Sequence, residues 1–172
     1  MMNSQRFEDH IRKVSFSELN LHDPFFTSLR NAYQGFDDWF DRKSAEGEKT
    51  WVSRNRDSGH LQAMLYIKIE DDFDESAQPP LRGRRMKIGT FKVDYDHHTS
   101  LGKRLLAIAL REFAESRCPY VYVTMFGTDN TKGLRGLLKQ YGFSPLGYKS
   151  SEQVWIKKRP SSTRLDPYRE FP

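Results

Sequence analysis

Between residues 86 and 126 an apolar strand, a short polar loop, an amphipathic helix and a second apolar strand follow one another. No other feature constrains the fold as strongly. Met86–Val93 reads as a strand and Asp94–Ser100 as the loop leaving it. Leu101–Arg117 then places Leu101, Leu105, Ile108, Ala109 and Phe113 on one helical stripe. Tyr120–Phe126 is β-branched and aromatic almost throughout, which predicts a central strand covered on both faces. A helix stripe and two strands this close in sequence need a common core, and the expected class is α/β in the mixed α+β sense.

The elements on either side are shorter. Val14–Leu19 alternates apolar and polar residues and predicts a first strand. Asp23-Pro24 supplies an N-cap and a first-turn proline for a helix carrying Phe25, Phe26, Leu29, Ala32 and Tyr33, which Gly35 ends or bends. A second helix, with Phe36, Trp39 and Phe40 inward, runs towards Gly47. Thr50-Trp51-Val52 and Leu61–Ile69 read as a hairpin. The acidic run Glu70–Glu75, the Gln78-Pro79-Pro80 break and the basic Arg82-Gly83-Arg84-Arg85 read as loop, the acidic part as a mobile segment on the substrate side. A helix over Thr131–Gln140 stops at Gly142, and Pro145–Lys149 with Gln153–Lys157 forms a closing hairpin. One domain is expected over 1–158, with 159–172 an extended tail or a truncated linker.

Charge narrows the function classes. The 172 residues carry a net +5, but residues 1–79 hold 10 Lys/Arg against 15 Asp/Glu and the remainder 18 against 8. The halves therefore stand at −5 and +10, which points to an anionic ligand or partner on the second half. Charge alone leaves nucleotide, nucleic acid and membrane surface open. The longest apolar runs fall far short of the roughly 20 residues that cross a bilayer, and Met1–Lys13 has no secretory pattern. Cys118, the single cysteine, fits a reducing cytoplasm, and no membrane role is expected.

The junction from Met86–Val93 into the helix is where phosphate would bind. A helix opening on small residues offers unpaired N–H groups at its positive end, Gly102 allows close approach, and Thr99 and Ser100 add hydroxyls. His97-His98-Thr99-Ser100-Leu101-Gly102 resembles the Gln/Arg-x-x-Gly-x-Gly/Ala pyrophosphate loop of the GNAT N-acyltransferase superfamily. The second glycine is kept, while Ser100 replaces the first and His97 the opening residue. Leu134–Phe143, a helix ending in Gly142-Phe143, resembles that family's last helix, and the likeness extends over approximately Phe16–Lys158. The resemblance implies a splayed, mostly antiparallel sheet flanked by helices, opening between Met86–Val93 and Tyr120–Phe126. It implies acetyl-CoA as the coenzyme, with pantetheine on the backbone of Phe91, Lys92 and Val93. The pyrophosphate would lie on the amides of His98, Thr99, Ser100, Leu101, Gly102, Lys103 and Arg104, with Asn130 near the position of the family's asparagine.

The family often places a Glu on the fourth strand and a Tyr in the last helix. Met86–Val93 holds no carboxylate, Leu138 stands at the tyrosine position and Thr131 at the asparagine position. Tyr141, Tyr122 and Asp94 are the candidates for proton transfer, with Thr124, Glu70 and Asp71 behind them. The expected activity is acetyl transfer to a small-molecule or macromolecular amine. Two alternatives are an RNA-associated module, from Arg82–Arg85 and Lys157–Arg159, and a coenzyme A-binding scaffold without catalysis. An RNA or ribosome-associated target and a homodimer are both open.

Overall fold

A computed structural model describes residues 10–94 and 99–160. They divide into two compact units, one containing residues up to Ile67 and Ile88–Leu110, the other Lys68–Lys87 and the residues from Arg111 on. In the first, β1 (Arg12–Ser15), β2 (Lys49–Arg54), β3 (Leu61–Glu70) and β5 (Arg85–Val93) lie in that order across the sheet, beside α1 (Thr27–Ala32) and α2 (Phe36–Ala45). In the second, β5 is followed across the sheet by β6 (Tyr120–Met125), β8 (Glu152–Lys158), β7 (Ser144–Lys149) and the short β4 (Ala77–Gln78), with α4 (Lys132–Gln140). The strands β3 and β5 and the long helix α3 (Thr99–Ser116) run from one unit into the other. Pairings β1/β2, β2/β3, β6/β8, β7/β8 and β4/β7 are antiparallel, giving the mixed α/β class.

The expected first strand is shorter than its alternation predicted. It stops at Ser15, where Glu18 Oε2 accepts the Ser15 N–H at 3.0 Å and a 3-10 turn occupies Phe16–Glu18. Residues three apart share a face in such a turn, so Phe16 and Leu19 are buried together. Phe16 then sits edge-on to Trp39, Phe40 and Tyr66 at centroid distances of 5.3 to 5.5 Å, the centre of the first core. A second core gathers Ala77, Leu81, Tyr122 and Val154. The segment 70–85 is also more structured than a loop. Asp74 and Leu81 exchange backbone hydrogen bonds, β4 pairs with β7, and Lys149 Nζ meets Asp74 Oδ2 at 2.8 Å, so the acidic run is tied down.

Asp23 is an N-cap as its sequence context predicts, and it does more. Its Oδ1 accepts the Phe25 N–H at 2.9 Å and its Oδ2 the Leu61 N–H at 3.1 Å, joining the helical turn at Pro24–Phe26 to the start of β3. Asp23→Ala strands two buried donors, and an expected loss of about 2 kcal/mol is measured by urea unfolding. An unchanged midpoint would show that the cap contributes nothing.

Candidate functional site

The end of β5 and the start of α3 belong to the first unit. Phe91 and Lys92 are half-buried and Val93 buried, and the Asp94 N–H donates to Gln62 O at 2.7 Å where the chain leaves the sheet. Lys92 Nζ lies 4.0 Å from the ring centroid of Phe25. Burial lowers the pKa of this lysine, while Asp94 and Asp23 act in the opposite direction. In α3 the first turn carries no acidic residue, Leu101 and Gly102 are buried, and Ser100, Lys103 and Arg104 are exposed. Cations at a helix N-terminus oppose the helix dipole, and a bound anion removes that conflict. His97 and His98 lie outside the described residues, as does the Thr99 side chain.

The remaining predicted residues fall in the second unit or stand apart. Asn130 belongs to a 3-10 turn, Asp129–Thr131. Thr131 Oγ1 donates to the Phe126 carbonyl at 2.5 Å, and Arg135 Nε donates to Thr131 Oγ1 at 3.1 Å, so this hydroxyl holds the entry to α4. Leu138 is fully buried and Tyr141 is exposed at the end of α4. Members of the basic runs bond to backbone carbonyls, while Arg82, Arg84 and Lys158 are exposed. Arg84 Nη1 donates to Ser116 O at 2.7 Å, Arg159 Nε to Cys118 O at 2.9 Å and its Nη2 to Phe113 O at 2.7 Å. Arg85, expected in a loop, opens β5 and is sealed from solvent.

Around Arg85 the second unit holds a charged cluster that the motif reading missed. Glu70 ends β3, Arg85 and Lys87 share one face of β5, and Tyr122 stands on β6. The Tyr122 hydroxyl donates to Glu70 Oε1 at 2.5 Å, Arg85 Nε lies 3.2 Å from the same oxygen, and Lys68 Nζ lies 3.2 Å from Oε2. Arg85 Nη1 also donates to the carbonyls of Asp72 at 2.6 Å and Gly83 at 3.0 Å. Burial raises the Glu70 pKa, but the Tyr122 hydrogen bond, Lys87 and Lys68 outweigh it and leave the carboxyl below its ordinary range. Burial and then Glu70 push the Tyr122 phenol well above its ordinary value. Such a phenol is a weaker acid, and such a carboxylate a weaker base, than the free side chains. One signal was present in the sequence: Arg85 and Lys87 alternate with Met86 and Ile88, a strand with one charged face.

No family model matches this sequence, and no curated protein matches it by sequence. Solved structures do match its fold. Ard1 from Thermoplasma volcanium superposes with a TM-score of 0.59 at 19% identity, over 88% of this chain and 98% of that one. The fold is that of the GNAT acetyltransferases. The PaiA N-acetyltransferase from Thermoplasma acidophilum, in complex with coenzyme A, gives a TM-score of 0.56 at 13% identity, covering 87% of this chain and 98% of that one. Naa20 from Chaetomium thermophilum, in complex with a bisubstrate analogue, gives 0.55 at 15% identity, over 91% and 90%. Gly102 is buried in the first turn of α3, and Met86–Val93 offers no carboxylate.

Proposed function

We propose that this chain is an acetyl-CoA-dependent N-acetyltransferase that acts by direct attack of an amine on the thioester in a ternary complex. The observation that carries the reading is the opening of α3. A buried glycine, no acidic side chain and two exposed cations stand at the positive end of an 18-residue helix that follows a sheet strand. The opening amides of α3 and the Lys103 and Arg104 side chains would hold the coenzyme's phosphates, and the backbone of Phe91, Lys92 and Val93 its pantetheine arm. In the transfer the amine nitrogen bonds to the carbonyl carbon, the carbon–sulfur bond breaks, and the proton released by nitrogen balances the one taken up by the thiolate. Aligning the two reactants supplies much of the rate in such a reaction.

The likeness to the fold of the PaiA N-acetyltransferase supports the amine as acceptor class, and the coenzyme A in that complex supports the coenzyme. Thermal unfolding with acetyl-CoA at 100 times its dissociation constant is expected to show about 2.7 kcal/mol of stabilisation. Absence of any shift at millimolar acetyl-CoA overturns the proposal. Stabilisation without acetyl transfer to any amine would instead mark a coenzyme-binding scaffold.

A further inference from the structure

The large apolar side chains that face solvent are Ile69, Phe73, Tyr141, Leu146 and Tyr148 among the described residues, and all of them belong to the second unit. The same unit carries residues 130–151, a stretch with no Asp or Glu and with Lys132, Arg135, Lys139 and Lys149. Arg135 is tied to Thr128 and Thr131, and Lys149 to Asp74. The other two cations are exposed: Lys132 and Lys139 lie seven residues apart on the face of α4 that is turned away from the buried Leu134 and Leu138. A third ammonium joins them. Lys157 Nζ stands 2.6 Å from where a Cβ on Gly142 would be, just past the end of α4 and beside Tyr141 in the chain. Lys43, Lys68 and Lys149 pair with carboxylates, whereas Lys132, Lys139 and Lys157 make no ion pair among the described residues.

From Lys157 the strip continues over the sheet. Gln153, Trp155 and Lys157 share one face of β8, and Tyr148 on β7 is the direct cross-strand partner of Gln153. Four residues of strand span about 13 Å, so Tyr148 stands roughly that far along the same face from Lys157. The neighbouring carboxylates leave the strip basic: Asp129 is in the turn before α4, Glu152 falls on the opposite face of β8, and Asp74 is held by Lys149. We propose that this strip binds single-stranded nucleic acid, with phosphates on Lys132, Lys139 and Lys157 and bases stacked on Tyr141 and Tyr148. Separated ammonium groups suit a chain of anions, and exposed phenol rings offer flat faces to unpaired bases. A duplex keeps its base faces stacked and would meet only the lysines. A membrane suits the strip less, because the outer face of α4 carries lysine, glycine and glutamine where an interfacial helix carries large apolar side chains. The site does not depend on the acetyltransferase reading.

The experiment titrates a fluorescein-labelled oligouridylate with the full chain and reads fluorescence anisotropy across a range of salt. Binding is expected at roughly micromolar affinity in low salt, and three phosphate contacts give a slope of log K against log salt of about −2. Affinity then falls roughly twentyfold between about 50 and 200 mM salt. Lys132→Ala combined with Lys139→Ala is expected to bring the slope to about −0.7. Tyr148→Ala is expected to weaken binding about fivefold or more at an unchanged slope, while Tyr148→Phe, which keeps the ring, binds as the unaltered chain does. These side chains are exposed, so far-UV circular dichroism and the thermal midpoint are expected to stay in place. No binding of the oligouridylate, an unchanged slope in the double lysine variant, or full affinity of Tyr148→Ala overturns the assignment. Equal affinity for a duplex of the same length overturns it in favour of a site that reads only phosphates. Displacement of the oligouridylate by polyglutamate at equal charge would give the strip to an acidic protein, and lysine-dependent sedimentation with phosphatidylserine vesicles, without oligouridylate binding, would give it to a membrane.

Discussion

Gly102→Val is expected to abolish the stabilisation by acetyl-CoA while the free chain keeps its fold. Gly102 is buried in the first turn of α3, where opening N–H groups have no partner within the helix. Contact between a phosphate and these amides requires the backbone to be approached closely, and a branched side chain takes that space. Valine is itself a somewhat better helix former than glycine, so propensity does not oppose the substitution. A loss of about 1,000-fold in affinity leaves under ~0.1 kcal/mol of the roughly 2.7 kcal/mol expected at 100 times the original dissociation constant. Thermal melts of both proteins with and without acetyl-CoA, beside far-UV circular dichroism, separate lost binding from lost structure. Gly102→Ala, with a smaller intrusion, is expected to fall between. Equal stabilisation of the valine variant and the unaltered chain would place the coenzyme elsewhere.

Arg85→Met is expected to destabilise the chain by about 3–5 kcal/mol, because it breaks a buried pair from one side. The substitution leaves the Glu70 carboxylate without its nearest guanidinium and removes the donors to the carbonyls of Asp72 and Gly83. Combining it with Glu70→Gln is expected to recover part of the loss, since the largely buried carboxylate is then removed together with its guanidinium. Urea unfolding of the two single variants and the double variant measures both effects, and a neutral Arg85→Met would show that the guanidinium contributes no net stability. Against the effect of burial, the Tyr122 hydrogen bond, Lys87 and Lys68 hold Glu70 below its ordinary range, which also sets a pH dependence. The folded Glu70 has a pKa below that of the unfolded chain, so its contribution is fully present above the ordinary glutamate range. It is lost as the pH falls through the folded value. Stability measured from neutral pH downward is therefore expected to decline less steeply in the double variant than in the unaltered chain.

The sequence pattern was a good guide wherever one periodicity served one core. The stripe on α3, the apolar run of β6, the Asp23-Pro24 cap and the two hairpins all have local causes, so they were legible without coordinates. The place of Gly102 in the first turn of α3 was legible as well, since the apolar stripe that follows it fixes where the helix begins. Alternation misled at Val14–Leu19, where two and three residue spacings both bring Phe16 inward and burial of Leu19 favours the turn. β4 is two residues long and exists through its pairing with β7, which lies about 70 residues further along the chain, so no local pattern announces it.

The charged cluster marks the same division more sharply. Arg82-Gly83-Arg84-Arg85 reads as a basic loop, and the +10 of the second half pointed to an anionic ligand or partner there. Residue type and the period of a strand determined that Arg85 and Lys87 would share a face. Only the tertiary structure decided which carboxylates meet them, because Glu70, Asp72 and Tyr122 arrive from other segments of the chain. A charge's effect depends on burial and on partners within a few ångströms, and chain order does not encode those distances. That is why Arg85 is an internal counter-ion while Lys87, two residues later, makes no ion pair among the described residues.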